Sequence, residues 1–393
     1  MEAYIVNGSR TAFGSFGGAF KDTSDIDLAV ATVKETIERS DIDTSSIDEI
    51  IMGNIIHTSR SSAYLARHIG LKSGLSESST ALTVNRLCGS GLQAIVTAAQ
   101  NIVLGETNVA IAGGTENMSL APHVLRGTRF GTPNKAPKVD DMLFETLYDQ
   151  YAGCGMGITA ENLAVKYEIP REEQDQFALN SHQKAAKAIE SGRFAEEIVP
   201  IVIKDKKNKE IIVDQDEHVR KEIVYDKLKS LRPAFQEKGT VTAGNASGIN
   251  DGAATVLVAS GDYVKQHHLQ PLAKIVAWGT AGVDPKIMGI GPVYAIQKAL
   301  KKANLELSDI DLIELNEAFA AQSLAVIKEL NLDINKVNVN GGAVALGHPV
   351  GASGARITYS LAIEMNKRNA RFGVASLCIG GGQGIAIVLE NQN

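Results

Sequence analysis

Cysteine is scarce in this chain. Cys88, Cys154 and Cys378 are the only three in 393 residues. Their spacing fits neither a CxxC zinc ribbon nor a disulfide framework, and a sparse, odd set suits a reducing compartment. There is one tryptophan, and aromatics make up 5% of the chain. No uninterrupted apolar run of about 18 residues occurs, so no membrane-spanning helix is expected. Basic residues are not in excess: 39 Lys and Arg stand against 45 Asp and Glu. That balance excludes a nucleic-acid binder held by bulk charge, although a local basic patch could still hold a phosphate. The opening Met1-Glu2-Ala3-Tyr4-Ile5-Val6 has no basic and apolar leader pattern, and Asn391-Gln392-Asn393 carries no peroxisomal address. Cytoplasmic location is the resulting expectation. No set of metal-ligand residues has suitable spacing, so no metal is expected.

What is plentiful is glycine, at 37 residues with no collagen-like period. Apolar and polar segments alternate in an α/β manner. Tyr4–Val6, Ile50–Met52, Leu82–Val84 and Val109–Ala112 read as short buried strands, the last ending at Gly113-Gly114. Asp25–Ser40 and Gly89–Leu104 read as helices, the first with Ile26, Leu28, Val30, Val33 and Ile37 on its apolar positions. Ile47-Asp48-Glu49-Ile50 resembles Ile310-Asp311-Leu312-Ile313, and Ser90-Gly91 resembles Ser353-Gly354, both 263 residues on. Val109-Ala110 resembles Val374-Ala375 at an offset of 265. An internal duplication is therefore expected. Between the halves, Arg171–Gly192 reads as a polar helix and Lys204–Glu210 as a solvated hairpin tip. Three parts follow: residues 1–120, an insert at 121–250, and residues 251–393.

Four stretches carry candidate chemistry. In Asn85–Gln93, Cys88 stands between a strand and an apolar helix. A helix N-terminus lowers a thiol pKa, which makes Cys88 a candidate nucleophile; the alternative is an inert core thiol. Gly341–Gly354 is a glycine-rich run holding His348 in rigid turns, as a general base requires; the alternative is a His that only caps the turn. The run lacks the Lys-Ser/Thr ending of a P-loop. In Leu377–Gly384, Cys378 ends a strand and runs into glycines whose N–H groups could stabilise an oxyanion. In Asn316–Ala320, the Asn316 amide could hold a carbonyl or a water, while Asn316 and Glu317 could also be ordinary helix caps.

Together these strings, with Gly239–Gly248, Asn250–Ala254 and the opening Arg10-Thr11-Ala12-Phe13-Gly14, resemble the thiolase family from end to end. The resemblance implies a layered αβαβα fold, two duplicated βαβ-type halves with an inserted loop domain. It implies an acetyl-CoA C-acetyltransferase, which joins two acetyl-CoA into acetoacetyl-CoA and CoA through an acetyl-cysteine. A degradative 3-ketoacyl-CoA thiolase of broader chain range is the alternative. An inactive acyl-CoA-binding relative is another, although no catalytic residue is lost. A decarboxylating ketosynthase would need Cys-His-His, and no papain-type cysteine neighbourhood is present.

Position by position, Cys88 matches the nucleophile, His348 its base and Cys378 the acid/base at the substrate methyl carbon. Asn316 with His348 matches one oxyanion hole; the N–H groups of Cys88 and Gly380 match the other. Leu147, Met156, Arg220, Phe235, Ala243, Ser247, Met288, Ala318 and Phe319 match positions that bind CoA. Arg220 would stack on adenine, Phe235, Met288 and Phe319 would line the pantetheine tunnel, and Ser247 would bond its amide. CoA thioesters are substrates, so no further cofactor is implied. A homodimer or homotetramer is implied as well. Two positions depart from the pattern. Gly155 stands where many acetoacetyl-CoA-forming members carry His, which leaves more room beside the acyl group. Lys227 stands where some members carry a Ser on the adenine side. If Cys88 and Cys378 share one pocket, a disulfide between them would silence both.

Overall fold

The computed structural model describes residues 2–131, 136–204 and 207–392. The first half opens with strand β1 (Ala3–Arg10) and helix α1 (Asp25–Ser40). Ser24 caps α1 by accepting the Asp27 N–H, and Asp25 and Asp27 stand in its positive first turn. Strands β2 (Glu49–Gly53) and β3 (Thr80–Val84), helix α2 (Ser90–Leu104) and strand β4 (Val109–Asn117) follow. The insert holds three short hairpins and helices α3 (Met156–Lys166) and α4 (Arg171–Glu190). Ile201–Lys204 pairs with Glu210–Val213, as the hairpin reading required; its tip at 205 and 206 lies outside the described residues.

Strand β5 (Asn250–Ser260) then returns to the first half and lies between β1 and β4. The three-part division puts residues 251–260 with the last part of the chain, whereas their pairing with β1 and β4 joins them to the first half. A buried run such as Ala253–Ala259, apolar but for Thr255, fits either half, and only its pairing decides. The second half is β6 (Ala273–Gly282), α5 (Gly291–Ala303), β7 (Leu312–Leu315), α6 (Ala320–Leu330), α7 (Ser353–Arg368), β8 (Phe372–Ile379) and β9 (Gln383–Asn391).

The duplication is written in the strand registers. Glu49 pairs with Ala110 in β2–β4, and Leu312 pairs with Gly373 in β7–β8, so both partners move by 263 residues. The β4–β8 match is thus offset by 263, and the 265 read from Val109-Ala110 is corrected. Two apolar strands slide past each other in a sequence comparison because every position looks alike. β1 carries a bulge between Ile5 and Asn7, and β6 carries one between Ile275 and Ala277, at the same place against β5 and β9.

Three apolar layers surround these strands. α2 and α7 are sandwiched between the two halves, α1 packs outside the first and α5 outside the second. The sheet runs continuously through antiparallel β1–β6. α2 and α7 touch through glycine. A Cβ on Gly91 would sit 2.8 Å from Ala355 N, and one on Gly354 would sit 2.3 Å from Leu92 N. These reciprocal contacts, related by the same 263, bring both helix starts to one centre.

Three expectations change here. β3 is an exposed edge strand, with Leu82 44% exposed, not a buried one. β4 runs on through Gly113-Gly114, because a Cβ on Gly114 would lie 1.9 Å from Gly351 O and only glycine fits. One window, Leu87–Leu104, does have a mean hydropathy of 1.3. Its helix of 15 residues is about 22 Å long, short of a roughly 30 Å hydrocarbon layer, and is the central core helix.

Arg10 fastens the insert to the core. Its guanidinium donates to Glu197 at 2.8 Å and to Asp216 at 2.7 Å, all three fully enclosed. A buried Arg with two carboxylates is held by hydrogen bonds at every charged edge.

Candidate active site

Cys88 sits on a tight turn before α2. Leu87 takes φ 45, a left-handed conformation uncommon for its side chain. Three hydrogen bonds hold it: Leu87 N–H to Asn85 Oδ1 at 2.9 Å, Ser90 Oγ to Leu87 O at 2.7 Å, and Arg86 N–H to Ser90 Oγ at 2.8 Å. The N–H groups of Gly380 and of Cys88 itself are directed at the Cys88 sulfur. Burial nevertheless raises the Cys88 thiol above its usual value, and nearby Glu116 adds to that. The thiolate expected from the helix start is thereby corrected. The resting thiol is neutral and needs a base.

The candidate for that base is His348. Its Nδ1 is 2.6 Å from Ser353 Oγ, and Ser353 donates its own proton to Pro349 O at 2.9 Å. Nδ1 therefore carries the hydrogen, and Nε2 keeps the lone pair. Nε2 faces Asn316 Nδ2 at 3.4 Å. The backbone N–H of His348 donates to Asn250 Oδ1 at 3.0 Å. Burial, with Arg356 nearby, lowers the His348 pKa to about 4, so the ring is neutral.

Asn316 follows β7, where its N–H donates to Ser376 O at 2.9 Å. Its Oδ1 is buried and accepts no hydrogen bond from a described residue. Glu317 is not a helix cap. It is buried and accepts from Ser181 Oγ at 2.7 Å, Asn338 Nδ2 at 2.8 Å and Val344 N–H at 3.1 Å, which pins the run leading to His348. Cys378 is fully buried at the end of β8. Burial pushes its thiol well above the usual value, and so does the Cys88 sulfur, which is close enough to act on it. Both thiols are free.

One centre thus combines a cysteine with two N–H donors, a neutral imidazole of fixed tautomer, an amide and a second thiol. The model for the thiolase N-terminal domain matches residues 3–262, and that for the thiolase C-terminal domain matches residues 269–391. The chain belongs to the thiolase family. It is 49% identical to human mitochondrial 3-ketoacyl-CoA thiolase over 389 residues, 99% of this chain and 98% of that one. The crystal structure of the human enzyme in complex with CoA superposes with a TM-score of 0.96, covering 100% of this chain and 98% of that one at 48% identity. The Bacillus anthracis acetyl-CoA acetyltransferase superposes equally well, at 0.96 and 48% identity, covering 99% and 98%. Chain and relatives are thiolase-type acyltransferases, with a mixed α/β sheet.

In this thiolase, Met156, Met288, Ala318 and Phe319 pack with Cys378 in one apolar cluster. The Phe235 ring meets Phe319 edge-on, with centroids 6.0 Å apart. Ser247 N–H donates to Ala318 O at 3.0 Å, tying the 243–248 loop to the Asn316 segment. Leu147 packs in a second cluster with Cys88, Ile55, Ile56 and Val350, and its O accepts the Met156 N–H at 2.9 Å. Ala243 is exposed. Arg220 stands apart from the catalytic centre. It lines an open groove of about 700 Å³ with Lys227, Leu228 and Leu231. The two leucines reach Gly244, next to Ala243, so the groove leads to that loop. Ser353 and Arg356 gained no role from sequence. Ser353 lies within the Gly341–Gly354 run, and a hydroxyl five residues after a histidine is the signal that could have marked it.

Proposed function

We propose that this thiolase cleaves 3-ketoacyl-CoA with CoA, and runs the reverse condensation, with acetyl as one of several acyl groups carried on Cys88. The reading rests on Gly155. A Cβ there would find Leu147 O at 3.6 Å and the Tyr148 ring at 4.0 Å, so the position is open next to the cluster that holds Cys88. A pocket without that side chain gains room for extra methylenes.

In cleavage, Cys88 Sγ attacks the 3-keto carbon and its proton passes to His348 Nε2. The N–H groups of Cys88 and Gly380 receive the oxyanion. The C2–C3 bond breaks, and its electron pair on C2 takes the proton of Cys378, giving acetyl-CoA. Asn316 and His348 hold the enolate oxygen in that step, with a water on Asn316. CoA then attacks the acyl-Cys88 thioester and gives its proton to Cys378. Cys88 leaves as thiolate and recovers its proton from His348. Condensation is the reverse.

CoA enters along Phe235, Met288 and Phe319, bonds Ser247 through its amide, and reaches Arg220 and Lys227 with its nucleotide end. Apolar walls with few polar anchors suit such a ligand. The exposed edge strand β3, just before the Cys88 turn, supports a homo-oligomer.

A narrower reading, acetyl-CoA C-acetyltransferase proper, draws the same degree of support from the Bacillus anthracis enzyme. Thiolysis rates on acetoacetyl-CoA and a longer 3-ketoacyl-CoA separate the two. Comparable rates support the broad range. Turnover of acetoacetyl-CoA alone supports the narrow one.

A further inference from the structure

The 263-residue duplication defines a second, mirror half-site that the reaction does not use. Cys88 corresponds to Gly351, Ser90 to Ser353, and the strand-end residues Cys378–Gly380 to Thr115–Asn117. In the working site, Gly380 reaches across to Cys88. In the mirror site Asn117 stands at the Gly380 position, and its neighbour Glu116, at the Ile379 position, is the residue that reaches across to Gly351. Its carboxylate takes four N–H donors. Oε1 accepts from Ile56 N–H at 3.0 Å and Asn54 Nδ2 at 3.3 Å, and Oε2 accepts from Ile55 N–H and Gly351 N–H, both at 3.1 Å. A Cβ on Gly351 would lie 2.8 Å from that carboxylate. Glu116 is fully buried, and no cationic side chain among the described residues is bonded to it.

We infer that Glu116 is a positioning residue of the thiolase reaction: its carboxylate fills the mirror half-site and locks the Asn54–Ile56 loop to the turn that follows His348. Both tied segments touch the reacting centre. Ile55, Ile56 and Val350 pack in the cluster that includes Cys88. His348 directly precedes the Pro349–Ala352 turn, closed by the Ala352 N–H to Pro349 O at 3.0 Å, so the Gly351 bond fixes the far end of the segment whose near end is His348. Buried Asp25, bonded to Asn54 and Thr58, backs the loop from α1. Each oxygen faces two donors, which suits an ionised carboxylate; an amide offers only one accepting oxygen. Burial pushes Glu116 up to about 8 against the pull of the Ile56, Ile55 and Gly351 N–H groups, so the effect is read at pH 8.5.

The test is Glu116→Gln, assayed by thiolysis of acetoacetyl-CoA. Both substrate ranges considered above include that compound, so the result is independent of the chain-length reading. The expected result is a kcat lower by about tenfold or more, with KM for CoA within about twofold, because a small misplacement of the reacting groups is costly while the CoA tunnel is untouched. Glu116→Asp, which restores two accepting oxygens on a shorter arm, should recover part of the loss. Should Glu116→Gln not fold, Asn54→Ala removes one of the four donors and should lower kcat about threefold, again with KM held. Wild-type kcat in a folded Glu116→Gln, or in Asn54→Ala where the first does not fold, would overturn the inference. So would losses that fall on KM alone.

Discussion

His348 and Ser353 are joined at 2.6 Å between Nδ1 and Oγ, and the serine proton is already committed to Pro349 O. This pair fixes the tautomer and leaves Nε2 as the nitrogen free to accept a proton. Ser353→Ala leaves Nδ1 without its acceptor and the tautomer unfixed. A kcat loss of about tenfold to a hundredfold, with little change in KM, is expected in steady-state thiolysis.

The acid side of the stability profile follows from imidazoles buried neutral. His348 and His218 are each lowered to about 4 and His182 to about 3, in each case mainly by burial. The unfolded chain takes up protons from about 6.5 downward, and the folded chain resists until near 4 or below. Stability contributed by these groups is present above 6.5 and is lost as pH falls through that window. Glu116 and Glu314, raised by burial to about 8 and about 7, titrate with the opposite sign over the same range, so the histidine share is read by comparison: on going from pH 7.5 to pH 5, His218→Gln should lose less stability to urea, relative to its own value at pH 7.5, than the wild type does.

Gly155→His tests the acyl pocket. The backbone there is open, with φ −76, and accepts a side chain without strain. The substitution should lower thiolysis of a longer 3-ketoacyl-CoA about tenfold or more, and leave acetoacetyl-CoA within about threefold. Equal loss on both substrates would mean that position 155 does not set chain length.

Gly354→Ala tests the helix crossing. Its Cβ would meet Leu92 N at 2.3 Å, against backbone that cannot move alone. A loss of about 3 kcal/mol or more in urea unfolding is expected.

Much of this was legible in sequence. The repeat showed in Ile47–Ile50 against Ile310–Ile313, because those residues keep identity as well as apolar pattern. The strand register did not, because Val109-Ala110 fits many apolar pairs and only hydrogen bonding fixes the offset. Cys88, Asn316, His348 and Cys378 stood out through the turns that carry them. Their electrostatics did not. A helix start suggested a lowered Cys88 pKa, yet burial is a property of the packed molecule and it prevails. Glu116 was silent for a related reason: its donors come from residues 54–56 and 351, brought together only by the crossing of two halves.

The proposed reaction passes through an acyl group carried by Cys88. The most direct measurement is peptide mass mapping after a brief incubation with acetyl-CoA and rapid acid quench. One acetyl group on the peptide containing Cys88 is expected in the wild type and in Cys378→Ala, with none in Cys88→Ala and condensation lost in both variants. Acetyl found on Cys378 instead, or turnover surviving in Cys88→Ala, would contradict it.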